Sequence, residues 1–185
     1  MTKDVINDMK DHMTKTIDAL RRDYQKIRTG RASTSLLDDI KVDYYGNPSP
    51  LSAVATLAVP EARTITISPW EAKMIPLIEK AILNSNVGLT PSNDGRLIRL
   101  ILPPLTEERR KDIVKDLRRK AEDDKIALRN IRRDAIDKLK KLEKEKKITE
   151  DELKRSEKEV QELTDKHVAK VDEVLAHKEK EVMEV

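Results

Sequence analysis

The positions of the prolines divide this chain of 185 residues into three parts. All eight prolines lie between Pro48 and Pro104, and residues 1–30 and 106–185 contain none. Because proline lacks a backbone N–H and its ring clashes with the preceding helical turn, long helices are possible only in the two outer parts. The sequence therefore predicts helical flanks around a middle segment, residues 31–105, that has a different fold.

The apolar residues of the first flank repeat at the spacing of a helix with one apolar face. They follow one another at intervals of three or four positions: Ile6, Met9, Met13, Ile17, Leu20, Tyr24 and Ile27. Side chains at these intervals lie on the same side of an α-helix. Gly30 follows, at the place where a C-terminal cap in the left-handed conformation is expected.

The second flank predicts two further helices. The first begins after Thr106, a candidate N-cap, and extends to about Lys146, a length of roughly 60 Å. Its apolar stripe consists of Ile113, Leu117, Ala121, Leu128, Ile131, Ala135, Leu139 and Leu142. The other helix begins at a capping box formed by Thr149 and Glu152. Its stripe consists of Leu153, Val160, Leu163, Val171, Val174 and Val182. Three helices with one apolar face each predict an elongated three-helix bundle.

The middle segment has the composition of a small mixed domain. Residues 40–44, 63–67 and 96–102 are rich in β-formers, and residues 74–85 are typical of a helix with Pro76 in its first turn. The predicted fold class is therefore α+β with two domains. A small β/α/β domain is inserted between helix 1 and helix 2 of the bundle.

Two short crossings are expected to join the bundle domain, residues 1–30 and 106–185, to the inserted domain. They are residues 29–31, which contain Gly30, and residues 103–105, which contain Pro103 and Pro104. Glycine widens the range of backbone conformations, and proline prevents the flanking elements from continuing through. The pattern is typical of a hinge, although two stiff connectors that hold one arrangement fit it equally well.

Basic charge is concentrated in the second bundle helix. Residues 106–147 contain 17 lysines and arginines against 11 acidic residues, whereas residues 31–105 contain seven of each. On a helical wheel, the apolar positions lie within about 60° of Leu128, and one basic group lies at roughly 40–100° from Leu128 on one side. It comprises Lys111, Arg118, Lys125, Arg129 and Arg132, with Lys115, Arg133 and Lys140 just beyond. Arg110 lies close to the apolar stripe near the start of the helix.

This basic ridge favours contact with folded RNA. Arginine stands at positions 118, 129, 132 and 133, and its planar guanidinium suits bidentate phosphate contacts. No aromatic platform for single strands and no base-reading motif accompanies the ridge, so backbone and shape contacts remain. The alternative is a solvated helix surface with ion pairs to Glu122, Asp134 and Asp137.

Other classes of protein are poorly supported. The chain has no cysteine, and His12, His167 and His177 lack the spacing of metal ligands, so we expect no metal site. There is no glycine-rich phosphate loop and no nucleophile elbow, so we expect neither catalytic residues nor a cofactor. No apolar run approaches the ~20 residues of a membrane span, and the first residues resemble no targeting signal. A soluble cytoplasmic protein without membrane association is expected.

Four long motifs carry a family resemblance: Lys26-Ile-Arg-Thr-Gly-Arg-Ala-Ser33, Tyr44-Tyr-Gly46 with Pro48-x-Pro50-Leu51, Leu102-Pro-Pro-Leu-Thr-Glu-Glu-Arg-Arg-Lys111, and Arg129-Asn-Ile-Arg-Arg-Asp-Ala135. In these motifs, in length and in helix layout, the chain resembles the bacterial-type ribosome recycling factors over nearly its whole length. The resemblance implies an L-shaped, tRNA-sized monomer that binds the large ribosomal subunit after termination through the bundle. Elongation factor G with GTP then drives subunit separation and release of messenger RNA and deacylated tRNA.

The resemblance also implies roles for individual residues. Contacts with ribosomal RNA carry over to Arg110, Arg129 and Arg132, and the ridge adds Arg118 and Arg133. Arg28 and Arg31 match the family motif at the domain junction, and Gly30 matches its hinge. Two other functions stay open: a coiled-coil scaffold or chaperone that binds protein clients, and a ribosome-associated factor with a role other than recycling.

Overall fold

The computed structural model describes residues 1–184. In chain order the elements are α1 (Thr2–Gln25), β1 (Lys41–Tyr44), β2 (Asn47–Pro50), β3 (Ala55–Glu61), β4 (Thr64–Pro69), α2 (Met74–Leu83), β5 (Pro91–Asn93), β6 (Ile98–Ile101), α3 (Glu107–Lys144) and α4 (Glu150–Met183), with short 3₁₀ helices at Thr34–Leu37 and Leu51–Ala53. The chain forms two compact units. The bundle unit comprises Met1–Arg28 with Glu107–Glu184, and the small unit comprises Thr29–Thr106. A helical bundle with a small β domain confirms the predicted α+β class.

The bundle unit consists of α1, α3 and α4, which pack against one another pairwise. Both neighbours of α3 run antiparallel to it. The Tyr24 hydroxyl near the end of α1 donates to the Leu117 carbonyl at 2.7 Å, whereas Asp8 near its start pairs with Lys138 at 3.1 Å. Within residues 1–184, no helix is both long and apolar enough to cross a membrane.

The predicted end of α1 is wrong. The helix ends at Gln25, and its C-cap, Lys26, has a right-handed conformation. The N–H groups of Lys26 and Ile27 bond to carbonyls three residues back, at 3.3 and 3.2 Å, so the last turn tightens before the chain leaves the helix. Gly30 does have a left-handed φ of 78°, but it lies beyond this turn and does not cap the helix.

The start of α4 follows the prediction. The Thr149 hydroxyl accepts from the Glu152 N–H at 3.2 Å, and the Glu152 carboxylate accepts from the Thr149 N–H at 2.8 Å. The two bonds satisfy backbone N–H groups that have no acceptor within the helix, as in the predicted capping box. Ile148, immediately before the cap, is buried.

The interior of the bundle contains more polar residues than the apolar stripes predict. Asp124 is buried at a position where the stripe of α3 is interrupted, and Lys120 donates to its Oδ1 at 3.0 Å. In α4, the buried Thr164 hydroxyl donates to the Val160 carbonyl at 2.7 Å. Ser156 and His167 are also buried, whereas Leu153, Leu163 and Val174 are only half-buried. Short side chains that bond to nearby groups can occupy an interhelical seam, although Asp124 Oδ2 is buried without a hydrogen-bond partner in the part of the chain that the structure describes.

The small unit has more strands than the sequence predicts. A four-stranded antiparallel sheet has the order β3-β4-β6-β5, and β1 and β2 form a separate hairpin. One face of the four-stranded sheet packs into a core that also includes residues of α2. Its completely buried side chains are Ile65, Ile67, Ile98 and Leu100. The unpredicted strands are β2, β3 and β5, and all three contain proline. Each is an edge or hairpin strand, where a missing N–H is tolerated.

Tyr24 supplies a pH-dependent contribution to the stability of the bundle. Burial, followed by the nearby Asp124 and Glu179 carboxylates, raises its pKa to about 12, against an ordinary value of 10.0. The folded state thus favours the neutral phenol. Its contribution is complete below pH 10 and is lost as the pH rises from about 10 to about 12.

We therefore expect Tyr24→Phe to lower the free energy of unfolding by about 1 kcal/mol at neutral pH, because the hydrogen bond to Leu117 is lost. Between pH 10 and 12 the variant should lose less stability than the unmodified chain. Urea unfolding followed by circular dichroism across this range measures both effects. An identical alkaline loss in the two proteins would contradict the assignment to Tyr24.

Candidate nucleic-acid interface

The structure places six of the seven predicted arginines in the bundle unit. Arg28 follows α1, and α3 carries Arg110, Arg118, Arg129, Arg132 and Arg133. Arg31 is exposed and belongs to the small unit. Most of the candidate interface therefore lies on α3, a helix of 38 residues.

Three contacts cross the exposed edge between α3 and α4, and we call them the α3–α4 ladder. Arg118 Nε lies 2.6 Å from Glu179 Oε1, and its second nitrogen lies 3.3 Å from Oε2. Lys125 Nζ lies 2.5 Å from Asp172 Oδ1 and 3.3 Å from Glu122. Arg132 Nη1 donates to the Gln161 amide oxygen at 3.1 Å. On α3 these residues are seven positions apart, as at the edge of a coiled coil.

Two members of the predicted ridge are thus paired with acids of α4, and Lys111 is paired with Glu107 of α3 at 3.0 Å. The Glu179 carboxylate raises the pKa of Arg118, and the Asp172 carboxylate raises the pKa of Lys125, since each stabilises its partner's charged form. Lys125 is only 14% exposed. Some of the basic side chains of the ridge are therefore already engaged in ion pairs and are less available to an external anion. A helical wheel of α3 alone could not show this, because two of the acids belong to α4.

Arg129, Arg132 and Arg133 are ridge arginines that lie close together without an acidic partner among the described residues, and we call them the arginine patch. Among residues 1–184, none of the three forms an ion pair with an acidic side chain. Arg129 and Arg133 are exposed, and Arg132 is half-buried. Residues three and four apart lie side by side on a helix, so the three guanidinium groups are neighbours. Such a group suits multidentate contact with phosphate oxygens.

Arg110 is separated from the arginine patch. It is half-buried in the first turns of α3, about 28 Å along the helix axis from Arg129. One phosphate cannot contact both. Arg110 and the patch would instead meet different parts of an extended nucleic-acid surface.

The two predicted crossings lie side by side in the small unit. Gly30 has a φ of 78°, and a Cβ at this position would lie 3.1 Å from Leu105 Cγ. A side chain here would be strained by the left-handed backbone and crowded by Leu105. Pro103 and Pro104 are exposed, whereas the preceding Leu102 N–H bonds to the Arg63 carbonyl at 2.8 Å.

The three histidines are not gathered in one place. His12 bonds to the Asp8 carbonyl at 2.8 Å, His167 bonds to the Leu163 carbonyl at 2.6 Å, and His177 lies in a groove between α1 and α4. In the described part of the chain, no three histidine, aspartate or glutamate side chains converge as metal ligands.

Sequence reasoning did not identify Gln161, which makes the only hydrogen bond from another helix to Arg132 in the described residues. Only a comparison of the α3 and α4 sequences with each other could have indicated this contact. Positions 118, 125 and 132 of α3 match positions 179, 172 and 165 of an antiparallel α4 at the same interval, and Gln161 precedes Asp165 by one turn.

Comparison with known proteins identifies the family. The family model for ribosome recycling factor matches residues 20–183. The ribosome-recycling factor of Geobacter sulfurreducens is 77% identical, and that of Geotalea uraniireducens is 74% identical, each over 185 residues that cover 100% of both chains.

Solved structures agree with this match. A solution structure of a ribosome recycling factor has a TM-score of 0.76 at 38% identity, with 100% of this chain and 98% of that chain covered. The T. thermophilus ribosome recycling factor, bound with E. coli elongation factor G to the E. coli post-termination complex, has a TM-score of 0.65 at 45% identity, with 99% of each chain covered. The chain whose α3 carries this arginine patch therefore belongs to the ribosome recycling factor family, which consists of translation factors rather than enzymes.

Proposed function

We propose that this chain binds the large ribosomal subunit of post-termination complexes through its bundle. With elongation factor G and GTP, it then promotes subunit separation and the release of messenger RNA and deacylated tRNA. It acts as a monomer in the cytoplasm, where bacterial ribosomes are found. Bond chemistry belongs to the GTPase partner, since phosphoryl transfer needs machinery that recycling factors do not contribute.

The observation that carries this proposal is the arginine patch. Arg129, Arg132 and Arg133 lie on consecutive turns of a long helix and have no acidic partner within residues 1–184. Three clustered guanidinium groups create a local positive potential that favours binding of an external anion. Ribosomal RNA supplies phosphates at the required density, and the 45% identical T. thermophilus protein occupies a ribosomal complex. Arg110, Arg28 and Arg31 are proposed as further RNA contacts, and Arg118 would contribute only by giving up part of its pairing with Glu179.

The small unit is proposed to move relative to the bundle about residues 29–31 and 103–105. Gly30 supplies a backbone conformation that other residues rarely adopt, and the two prolines prevent α3 from extending backward through the crossing. The bundle would stay anchored on RNA while elongation factor G displaces the small unit as a rigid body.

The test uses post-termination complexes assembled from ribosomes, messenger RNA and deacylated tRNA. Incubation with this chain, elongation factor G and GTP is expected to convert ribosomes to separate subunits on a sucrose gradient. Omitting any one of the three components should abolish the conversion. Binding to large subunits without any such conversion would instead identify a ribosome-associated factor with another role.

Salt distinguishes RNA binding from a protein-scaffold function. Contacts with phosphate release counterions, so the affinity for large subunits should fall steeply as salt rises. Binding that is insensitive to salt would favour apolar contacts with a protein client.

A further inference from the structure

The third contact of the α3–α4 ladder differs from the first two. Positions 118, 125 and 132 of α3 are spaced by seven, and the acids at 179, 172 and 165 of α4 have the same spacing in the opposite direction. Arg118 pairs with Glu179, and Lys125 pairs with Asp172. The pattern predicts an ion pair between Arg132 and Asp165, but none forms.

Gln161 lies between the two charged groups. Its amide oxygen accepts from Arg132 Nη1 at 3.1 Å, and its amide nitrogen donates to Asp165 Oδ1 at 2.8 Å. An amide has one accepting end and one donating end, so the two bonds agree on its orientation. The Asp165 carboxylate is thereby occupied by a neutral donor instead of the guanidinium.

We propose that Gln161 is a positioning residue that keeps Arg132 available for ribosomal RNA, an inference that rests on the proposed function of the arginine patch. A guanidinium has five N–H donors. The Gln161 amide accepts from Nη1 and Nε is buried, so the remaining donors of the two terminal nitrogens are the ones left for a phosphate. Because Gln161 carries no charge, the positive charge of Arg132 is not compensated from α4. The hydrogen bond also restrains a long side chain, which lowers the entropy lost when a phosphate binds.

The Arg118–Glu179 contact shows the kind of ion pair that Gln161 prevents Arg132 from forming. Arg118 donates two N–H groups to the Glu179 carboxylate, in the bidentate geometry that an RNA phosphate would require of it. An acid within reach of Arg132 would compete with RNA in the same way. The same helix edge therefore provides internal cross-links at two positions and an RNA contact at the third.

Gln161→Glu tests the proposal by placing a carboxylate within reach of Arg132. Affinity for large ribosomal subunits should fall by about tenfold, which corresponds to one weakened charge-assisted contact. The slope of log affinity against log salt should become shallower by about one. Thermal stability should change little, because the ion pair gained with Arg132 is offset by the lost hydrogen bond to Asp165 and by repulsion between the two carboxylates. Asn7→Asp makes the same amide-to-carboxylate change at an exposed position of α1 and should leave the affinity unchanged.

A double-variant cycle with Arg132→Ala separates this proposal from the proposed function. Once Arg132 is absent, Gln161→Glu should have no further effect on binding. If Arg132→Ala weakens binding but Gln161→Glu does not, the role of Gln161 is overturned and RNA binding by Arg132 stands. A loss from Gln161→Glu that persists without Arg132, or that Asn7→Asp reproduces, would overturn it as a general effect of charge. If Arg132→Ala leaves binding unchanged, the RNA contact of Arg132 fails first, and the role of Gln161 fails with it.

Discussion

Simultaneous replacement of Arg129, Arg132 and Arg133 by alanine is expected to lower the affinity for large ribosomal subunits by more than about a hundredfold. Each charge-assisted hydrogen bond contributes about 1.5–3 kcal/mol, and 1.4 kcal/mol corresponds to a factor of ten. The salt dependence should also become shallower by between two and three in the log–log slope. Co-sedimentation with large subunits over a series of salt concentrations measures both quantities.

The matched control removes the same charge from another helix of the bundle. Lys3, Lys10 and Lys15 are exposed on α1, and replacing all three by alanine should change the affinity far less. Alanine is a good helix former, so neither triple variant should reduce the helical signal in circular dichroism. Equal losses in the two variants would mean that net charge, and not the arginine patch, determines binding.

Leu128→Ala is expected to lower the free energy of unfolding by about 3 kcal/mol. The side chain is completely buried in the bundle, and its truncation removes apolar contacts and leaves a cavity. Urea unfolding followed by circular dichroism at 222 nm measures the loss, since this signal is dominated by the helices. The position is also adjacent in sequence to Arg129, so a destabilised variant should be assayed for binding only at temperatures where it is folded.

Ile126→Ala is the matched control, because it truncates an apolar residue of the same helix two positions earlier. Ile126 is 51% exposed, so its loss should cost well under 1 kcal/mol. If the two variants lose similar stability, α3 packs against its neighbours through a different face from the one described.

The architecture was predictable where local chemistry alone determines it. The confinement of proline to the middle of the chain predicted the long flanking helices, and the pair Thr149 and Glu152 predicted the start of α4. The end of α1 was not predictable in this way, because it tightens into a short turn before Gly30 is reached. Strands β2, β3 and β5 were missed since their prolines are tolerated only at positions that the assembled sheet defines.

The candidate site was predictable in composition but not in detail. Clustering of arginine on one side of α3 is a property of a single helix, so the wheel could reveal it. Which of these arginines are already paired depends on the alignment of α3 with α4. That alignment brings Glu179 to Arg118 and Gln161 to Arg132, and these pairings arise between segments far apart in sequence. Asp124 was missed for the same reason, since its burial depends on packing of α3 against its neighbours.

The bundle unit is assembled from two separate stretches of chain, with the whole small unit between them. During synthesis α1 emerges first, but its buried residues, such as Met13 and Leu20, have no helix to pack against until α3 and α4 follow. The small unit is continuous in sequence and can fold in the interval, because its strands and α2 all lie in one uninterrupted stretch of chain. Once folded, it brings the two ends of the intervening segment together at Gly30 and Leu105. The nascent chain would then meet a much smaller entropic penalty when α1 finally joins the other two helices.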